Sequence, residues 1–433
     1  MNKFSYQMFE LAHLAVAPAR AWSDATRLSF RNPLNPFTHT AFGRNMAAGA
    51  ELFERLTRKY GKPAFNLDYT TFEGREIPVT ENVVWAKPFC RLLHFERHQA
   101  PALAKQPRLL IVAPISGHYA TLLRGTVEAF LPHCDVYITD WTDARMVPLA
   151  LGRFDLDDYI DYLIEICQFL APDAPGGLHT LGVCQPSVPL IAASAVMEAA
   201  GDHSAPVSMT LMGGPIDTSR SPTAVNQLAQ KRGTEWFRRN CLVTVPFPNP
   251  GVGREVYPGF LQLSGFMAMN LNRHVNAHVE MFNHLVEGDG DSAEKHRDFY
   301  DEYMAVMDLD AEYYMQTIES VFVRRDLPNG TFHHRSELVD LGAIRKAALL
   351  AVEGEKDDIS GVGQTRAALD LCVNIPDARK DYHLQLGVGH YGVFNGSKFR
   401  KEIVPRIVDF IERSSLQPKT EAKRAGARAT SEN

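Results

Sequence analysis

The chain has 433 residues, 45% of them hydrophobic and 22% charged, with a net charge of −6 and a pI near 6.2. This is ordinary globular composition, long enough for one enlarged domain or two, and its acidity gives no electrostatic footprint for nucleic acid or an anionic membrane. The six cysteines, Cys90, Cys134, Cys167, Cys184, Cys241 and Cys372, include no C-x-x-C pair, which argues against zinc ribbons and thioredoxin-type redox sites.

Residues 1–71 are predicted to be mainly helical, as in A-A-G-A-E-L-F-E-R-L-T-R-K-Y. The apolar stretch at Leu11–Val16 adjoins Glu10 and has no basic leader beyond Lys3, so neither a secretory signal nor a membrane span is read. A cytoplasmic setting with reduced thiols is the expectation. Between 72 and 98, short β-prone runs are broken by Pro78 and Pro88, which suits edge or antiparallel strands. From 108 the apolar runs R-L-L-I-V-A-P, D-V-Y-I-T-D-W, L-H-T-L-G-V-C and P-V-S-M-T-L-M-G-G alternate with helical patterns over 122–131, 157–170 and up to Ala200. That alternation predicts an α/β fold with a mostly parallel sheet and helices on both faces, its first part spanning 72–212.

The alternation then stops. Residues 213–340 read as a helical insertion with aromatic and Met residues and no good central strand, placed to cap the sheet's C-terminal edge. It resumes with K-A-A-L-L-A-V-E-G-E-K-D-D and D-Y-H-L-Q-L-G-V-G-H, giving a second core part over 341–414. Residues 415–433 are polar and aperiodic, which predicts disorder.

Chemistry concentrates in H-T-L-G-V-C-Q-P-S-V-P-L, residues 179–190. A strand ending in G-x-nucleophile and turning sharply into a helix is a nucleophile elbow. Gly182 leaves room where a side chain would collide. The helix N-terminus beneath Cys184 favours a thiolate and an oxyanion. Here Cys replaces the usual Ser, and Pro186 the second Gly, which a first helical turn tolerates. By itself the motif fits a nucleophile and a buried structural thiol equally.

A nucleophile needs a base and the base an orienting acid, in the chain order nucleophile, acid, His. A-V-E-G-E-K-D-D-I puts Asp357 and Asp358 just after a strand, and L-Q-L-G-V-G-H-Y-G does the same for His390. Asp357 is preferred as the acid because a polar and then an apolar residue follow it; Asp358 stays open. One His among 16 after a strand is common, but three positions in the expected order are not. The oxyanion donors expected are the N–H of Gln185 and, from V-A-P-I-S-G-H-Y, that of Ile115, with Ser116 as runner-up. His118 in the same loop either lines the site or is an ordinary surface His.

Other patterns read as structure. His274 and His278 lie i, i+4 apart, but no H-E-x-x-H and no third ligand accompanies them. The acidic run E-G-D-G-D-S-A-E lacks calcium-loop spacing. No phosphate-binding Gly loop appears, so no cofactor and no metal are expected.

The elbow, together with A-P-I-S-G-H-Y-A-T-L-L-R-G-T, G-G-P-I-D-T-S-R-S-P-T-A-V-N and G-H-Y-G-V-F-N-G-S-K-F, resembles the intracellular polyhydroxybutyrate depolymerases over about residues 5–412. The resemblance implies an α/β-hydrolase fold with a Cys184–Asp357–His390 triad. It also implies a cytoplasmic polyester granule as substrate and partner, with 3-hydroxybutyrate or short oligomers as products. Such an enzyme must meet an apolar surface. Within V-Y-P-G-F-L-Q-L-S-G-F-M-A-M-N-L, Tyr257, Phe260, Leu261, Phe266, Met267 and Met269 are the candidate contacts, plain cap core being the other reading. The rivals are a polyester synthase-like acyltransferase, for which Pro186 is the wrong residue in the elbow, and a non-catalytic granule coat protein. Coenzyme A in place of water as acyl acceptor, and a homodimer, stay open.

Overall fold

The apolar runs become strands because a parallel strand covered by helices on both faces has no polar side to show. In the computed structural model, which describes residues 5–98, 105–269 and 271–415, these runs build one nine-stranded sheet. Its strands are β1 (Tyr69–Phe72), β2 (Arg75–Lys87), β3 (Cys90–Arg97), β4 (Arg108–Val112), β5 (Asp135–Trp141), β6 (Leu178–Val183), β7 (Ser208–Met212), β8 (Ala348–Gly354) and β9 (Lys380–Gln385). Every residue of β6, β7 and β8 is buried. The tail expected to be disordered lies, past Ser415, outside the described residues.

The spatial order is β1-β2-β3-β5-β4-β6-β7-β8-β9. Pairing is antiparallel from β1 through β3 to β5 and parallel from β5 to β9. Setting β1 aside, this is the α/β-hydrolase fold. Pro78 lies inside β2, opposite Tyr69 of short β1, while Pro88 occupies the β2–β3 turn. One long antiparallel strand therefore absorbs Pro78 within it and ends just before Pro88.

Helices α1 (Ser5–Arg31) and α2 (Ala41–Thr57) precede the sheet. Helices α3 (Arg124–Phe130), α4 (Leu156–Leu170) and α5 (Ser187–Ala199) connect its strands. Helix α4 starts where the sequence says it should, because Asp155 and Asp158 cap each other's backbone N–H groups. Among the described residues no helix is long and apolar enough to cross a membrane.

Between β7 and β8 the chain leaves the sheet. It forms α6 (Ala224–Arg232), α7 (Thr234–Cys241), α8 (Gly259–Met269), α9 (Leu271–Glu287), α10 (Gly290–Tyr303) and α11 (Ala311–Thr317). This excursion is not wholly helical. Val243–Thr244, Glu255–Tyr257 and Leu309–Asp310 make a small antiparallel sheet, whose strands of two or three residues are too short to show periodicity. The acidic run serves as a cap: the Asp289 carboxylate accepts from Ser292 N–H at the start of α10.

The N-terminal helices dock on this excursion. Tyr6 Oη donates to Asp308 Oδ2 at 2.6 Å, Arg55 and Arg58 pair with Asp301, and Arg297 pairs with buried Glu51. Phe9 stacks on Phe260 with ring centroids 4.1 Å apart, and Tyr6 meets Phe260 edge-on at 5.5 Å. Phe260 is thus an anchor for α1, in keeping with the cap-core reading of this stretch, and it is not among the residues that line the cavity described below. Phe260→Ala is expected to destabilise the fold by about 3 kcal/mol, the usual cost of emptying an aromatic site, and to leave kcat/KM on a soluble ester nearly unchanged. Denaturant unfolding and an ester assay on the same preparation check both halves.

Candidate active site

Strand β6 carries the chain to Cys184, whose φ of +67° lies in the left-handed region. A non-glycine residue there is strained, and such strain gathers at functional turns. Two hydrogen bonds hold the turn: Cys184 N–H to Met212 O at 2.7 Å, and Ser187 N–H to Cys184 O at 3.1 Å. Pro186, at φ −53°, precedes the first residue of α5, so its missing N–H falls where the helix has no use for one. Of the six cysteines, only Cys184 is not buried. Burial pushes the thiols of Cys134, Cys167 and Cys372 up to about 12, which suits inert core residues.

Crowding at the elbow comes more from the facing strand than from Gly182. A Cβ on Gly182 would press only on the flexible end of Leu190, at 3.1 Å, and would lie in ordinary contact with the Pro186 and Ser187 backbone at 3.5 Å. A Cβ on Gly214 would lie 2.0 Å from Ser187 Oγ and 2.9 Å from Cys184 O. Gly213, at φ +58°, sits where a Cβ would be 3.3 Å from His390 Cε1 and 3.4 Å from Asp357 Oδ2. The Gly-Gly step after β7 lets that strand end against the elbow.

Asp357 follows β8 in a tight turn. Its Oδ1 accepts from Ile359 N–H at 2.9 Å and Ser360 N–H at 2.8 Å. Its Oδ2 lies 2.8 Å from His390 Nδ1. Of the two adjacent carboxylates, Asp357 is therefore the one paired with the ring; Asp358 is exposed and lies on the wall of a neighbouring cavity. His390, in the turn after β9, is buried between Asp357 and Cys184. Burial alone would favour its neutral ring, but attraction to Asp357 and to the Cys184 sulfur outweighs it and holds the pKa well above the usual imidazole range. Carboxylate, ring and sulfur thus follow one another in contact, with the ring between its two partners.

The loop between β4 and α3 runs beside the sulfur. Among the described residues, no protein acceptor pairs with the N–H of Gln185, Ile115 or Ser116. The Ile115 carbonyl accepts from Tyr313 Oη at 3.3 Å. The loop is tied to the excursion by Met307 N–H to Gly117 O at 2.7 Å and by a β-bridge from His118 to Val306. His118 is no surface residue. It is buried with Nε2 3.1 Å from the Tyr303 carbonyl, and burial, only partly offset by that bond, pushes its pKa down to about 4. The ring is neutral near pH 7.

Over Cys184 and His390 lies a mainly apolar cavity of about 470 Å³. Ile115, Ser116, His118, Gln185, Tyr257 and Phe266 all line it, as do Gln262 and Tyr313. Tyr257 stacks on Tyr314 with centroids 4.1 Å apart. Gln262 and Tyr313 were not singled out from the sequence, since a Gln or Tyr within a helix gives no local sign of facing a site. His274 and His278 make ordinary helix contacts, to Tyr300 Oη at 2.9 Å and to the His274 carbonyl at 2.7 Å.

Residues 213–415 match the protein family described as PHB de-polymerase C-terminus. This region is a PHB de-polymerase C-terminal domain. The de-polymerase domain supplies the cap, Asp357 and His390, while the elbow with Cys184 precedes it. Solved structures similar to the chain include a membrane phospholipase A, at 12% identity over 78% of this chain and 86% of that one, TM-score 0.41. A thermophilic esterase from Thermogutta terrifontis is similar at 12% identity over 81% and 98% of the two chains, TM-score 0.38. The third is 2-hydroxy-6-oxo-6-phenylhexa-2,4-dienoate hydrolase from Rhodococcus sp. strain RHA1, at 8% identity over 78% and 99%, TM-score 0.41. No curated protein matches the sequence. A PHB de-polymerase domain built into an α/β-hydrolase sheet makes this chain an ester hydrolase.

Proposed function

We propose that the chain hydrolyses poly(3-hydroxybutyrate) in storage granules through a Cys184–His390–Asp357 triad. The observation that carries the reading is the line from the Asp357 carboxylate through His390 to Cys184, at the floor of an apolar cavity. The proton passes from sulfur to His390, and Asp357 holds the ring in the tautomer that keeps Nε2 free to take it. The thiolate attacks an ester carbonyl. The N–H of Gln185 and that of Ile115, or of Ser116, hold the tetrahedral oxyanion. His390 then protonates the leaving 3-hydroxyl, a thioester forms on Cys184, and water releases the acid. Tyr257, Phe266 and the neutral His118 ring surround an uncharged chain without offering it a charge.

Incubating the purified protein with amorphous granules and measuring soluble 3-hydroxybutyrate and its oligomers tests the reading. Release by the wild-type chain supports it. Polymer growth from an acyl-coenzyme A would identify a synthase instead, and binding without release a coat protein.

A further inference from the structure

A second cavity, of about 670 Å³, meets the first at Phe266, Ile359, His390 and Tyr391, which line both. Its character is different. Arg273 on α9, Lys295 on α10 and Lys356 beside the Asp357 turn bring three cationic side chains to it. Asp358 is the single carboxylate among its described lining residues. None of the three cations has a partner within ion-pair distance among the described residues. His274 and His296 also line it, but burial first and neighbouring positive groups second lower both rings, His296 to about 4. Near pH 7 the positive charge therefore comes from the arginine and the two lysines. Three like charges around one hollow concentrate small anions in it.

We propose that this cavity is a carboxylate-binding site that receives the hydroxy acid released from Cys184. The proposal rests on the ester-hydrolase reading given above. Hydrolysis turns a neutral ester into a charged product. Water adds to the thioester carbonyl, the C–S bond breaks, the sulfur recovers its proton through His390, and the acid gives its own proton to solvent. The apolar cavity that suits the polyester chain is a poor place for the resulting anion. The cationic cavity shares His390 and Tyr391 with it, so the released anion meets cationic side chains beside the same ring.

Calorimetric titration of the Cys184→Ala protein tests this without requiring catalysis. The probes are 3-hydroxybutyrate, its neutral methyl ester and inorganic phosphate. The acid is expected to bind at least roughly tenfold more tightly than the ester, and Arg273→Gln with Lys295→Gln to remove that advantage, as the loss of charged hydrogen bonds requires. In protein that keeps Cys184, the same pair should raise the inhibition constant of the acid by a similar factor, with kcat/KM on a p-nitrophenyl ester unchanged. Equal binding of acid and ester, or undiminished acid binding in the double variant, overturns the proposal. Phosphate binding far more tightly than the acid overturns the carboxylate assignment. Should the double variant fail to fold, added NaCl on the Cys184→Ala protein decides: it must weaken the acid and not the ester. Absence of ester cleavage by the wild type would sink the hydrolase reading and leave these binding results standing.

Discussion

Cys184→Ala is expected to lower ester hydrolysis roughly 10⁴-fold or more, the scale of losing a nucleophile whose partners act with it as one unit. The substitution removes one atom from a side chain that is only partly buried, so the folded state should survive it. The strained φ of +67° is imposed by the backbone bonds to Met212 and from Ser187, which alanine keeps. A variant that unfolds at the wild-type denaturant midpoint and releases no 3-hydroxybutyrate identifies the sulfur as the reacting atom. Activity within tenfold of wild type would show that the elbow only resembles one. Cys184→Ser separates the roles further. A serine hydroxyl gives up its proton far less readily than a thiol, so transfer to His390 becomes harder and the rate should fall steeply even with the geometry intact.

Much of this site could be read from the chain because its parts each follow a strand. Strands β6, β8 and β9 deliver Cys184, Asp357 and His390, and the apolar runs that make such strands are plain in sequence. The prolines misled slightly: Pro78 is absorbed because its neighbour β1 is short and at the edge, a fact set by pairing and not by composition. Side-chain destination in the cap was illegible for the same kind of reason. Phe260 and Phe266 sit in one helix six positions apart, yet Phe260 is claimed by Phe9, some 250 residues away, while Phe266 reaches both cavities. The cationic cavity draws Arg273, Lys295 and Lys356 from three separate elements, and no spacing rule connects them. His118, set in a loop of small and polar residues, became buried because the Val306–Met307 segment covers it.

Asp357→Asn should cost roughly 10³- to 10⁴-fold in kcat/KM, or about 5 kcal/mol of transition-state stabilisation. The reason lies in how the carboxylate is held. Oδ1 accepts two backbone N–H groups, from Ile359 and Ser360, and only an oxygen can do that. In the variant the amide oxygen must take this place, which turns the NH₂ group toward His390 Nδ1. A donor there forces Nδ1 to act as acceptor and puts the ring proton on Nε2, facing the sulfur. The ring can then no longer take the proton from Cys184. The charge that opposes burial is also gone, so the pKa of His390, now held well above its ordinary range, must fall. Residual activity that depends on the protonated ring should accordingly disappear at lower pH than in the wild type. Asp358→Asn, one residue along on an exposed side chain, should change kcat/KM by no more than a few fold. A pH–rate profile of both variants on one soluble ester decides the matter. Equal losses in the two, or no displacement of the profile in Asp357→Asn, would mean that the carboxylate at His390 is structural and that another group orients the base.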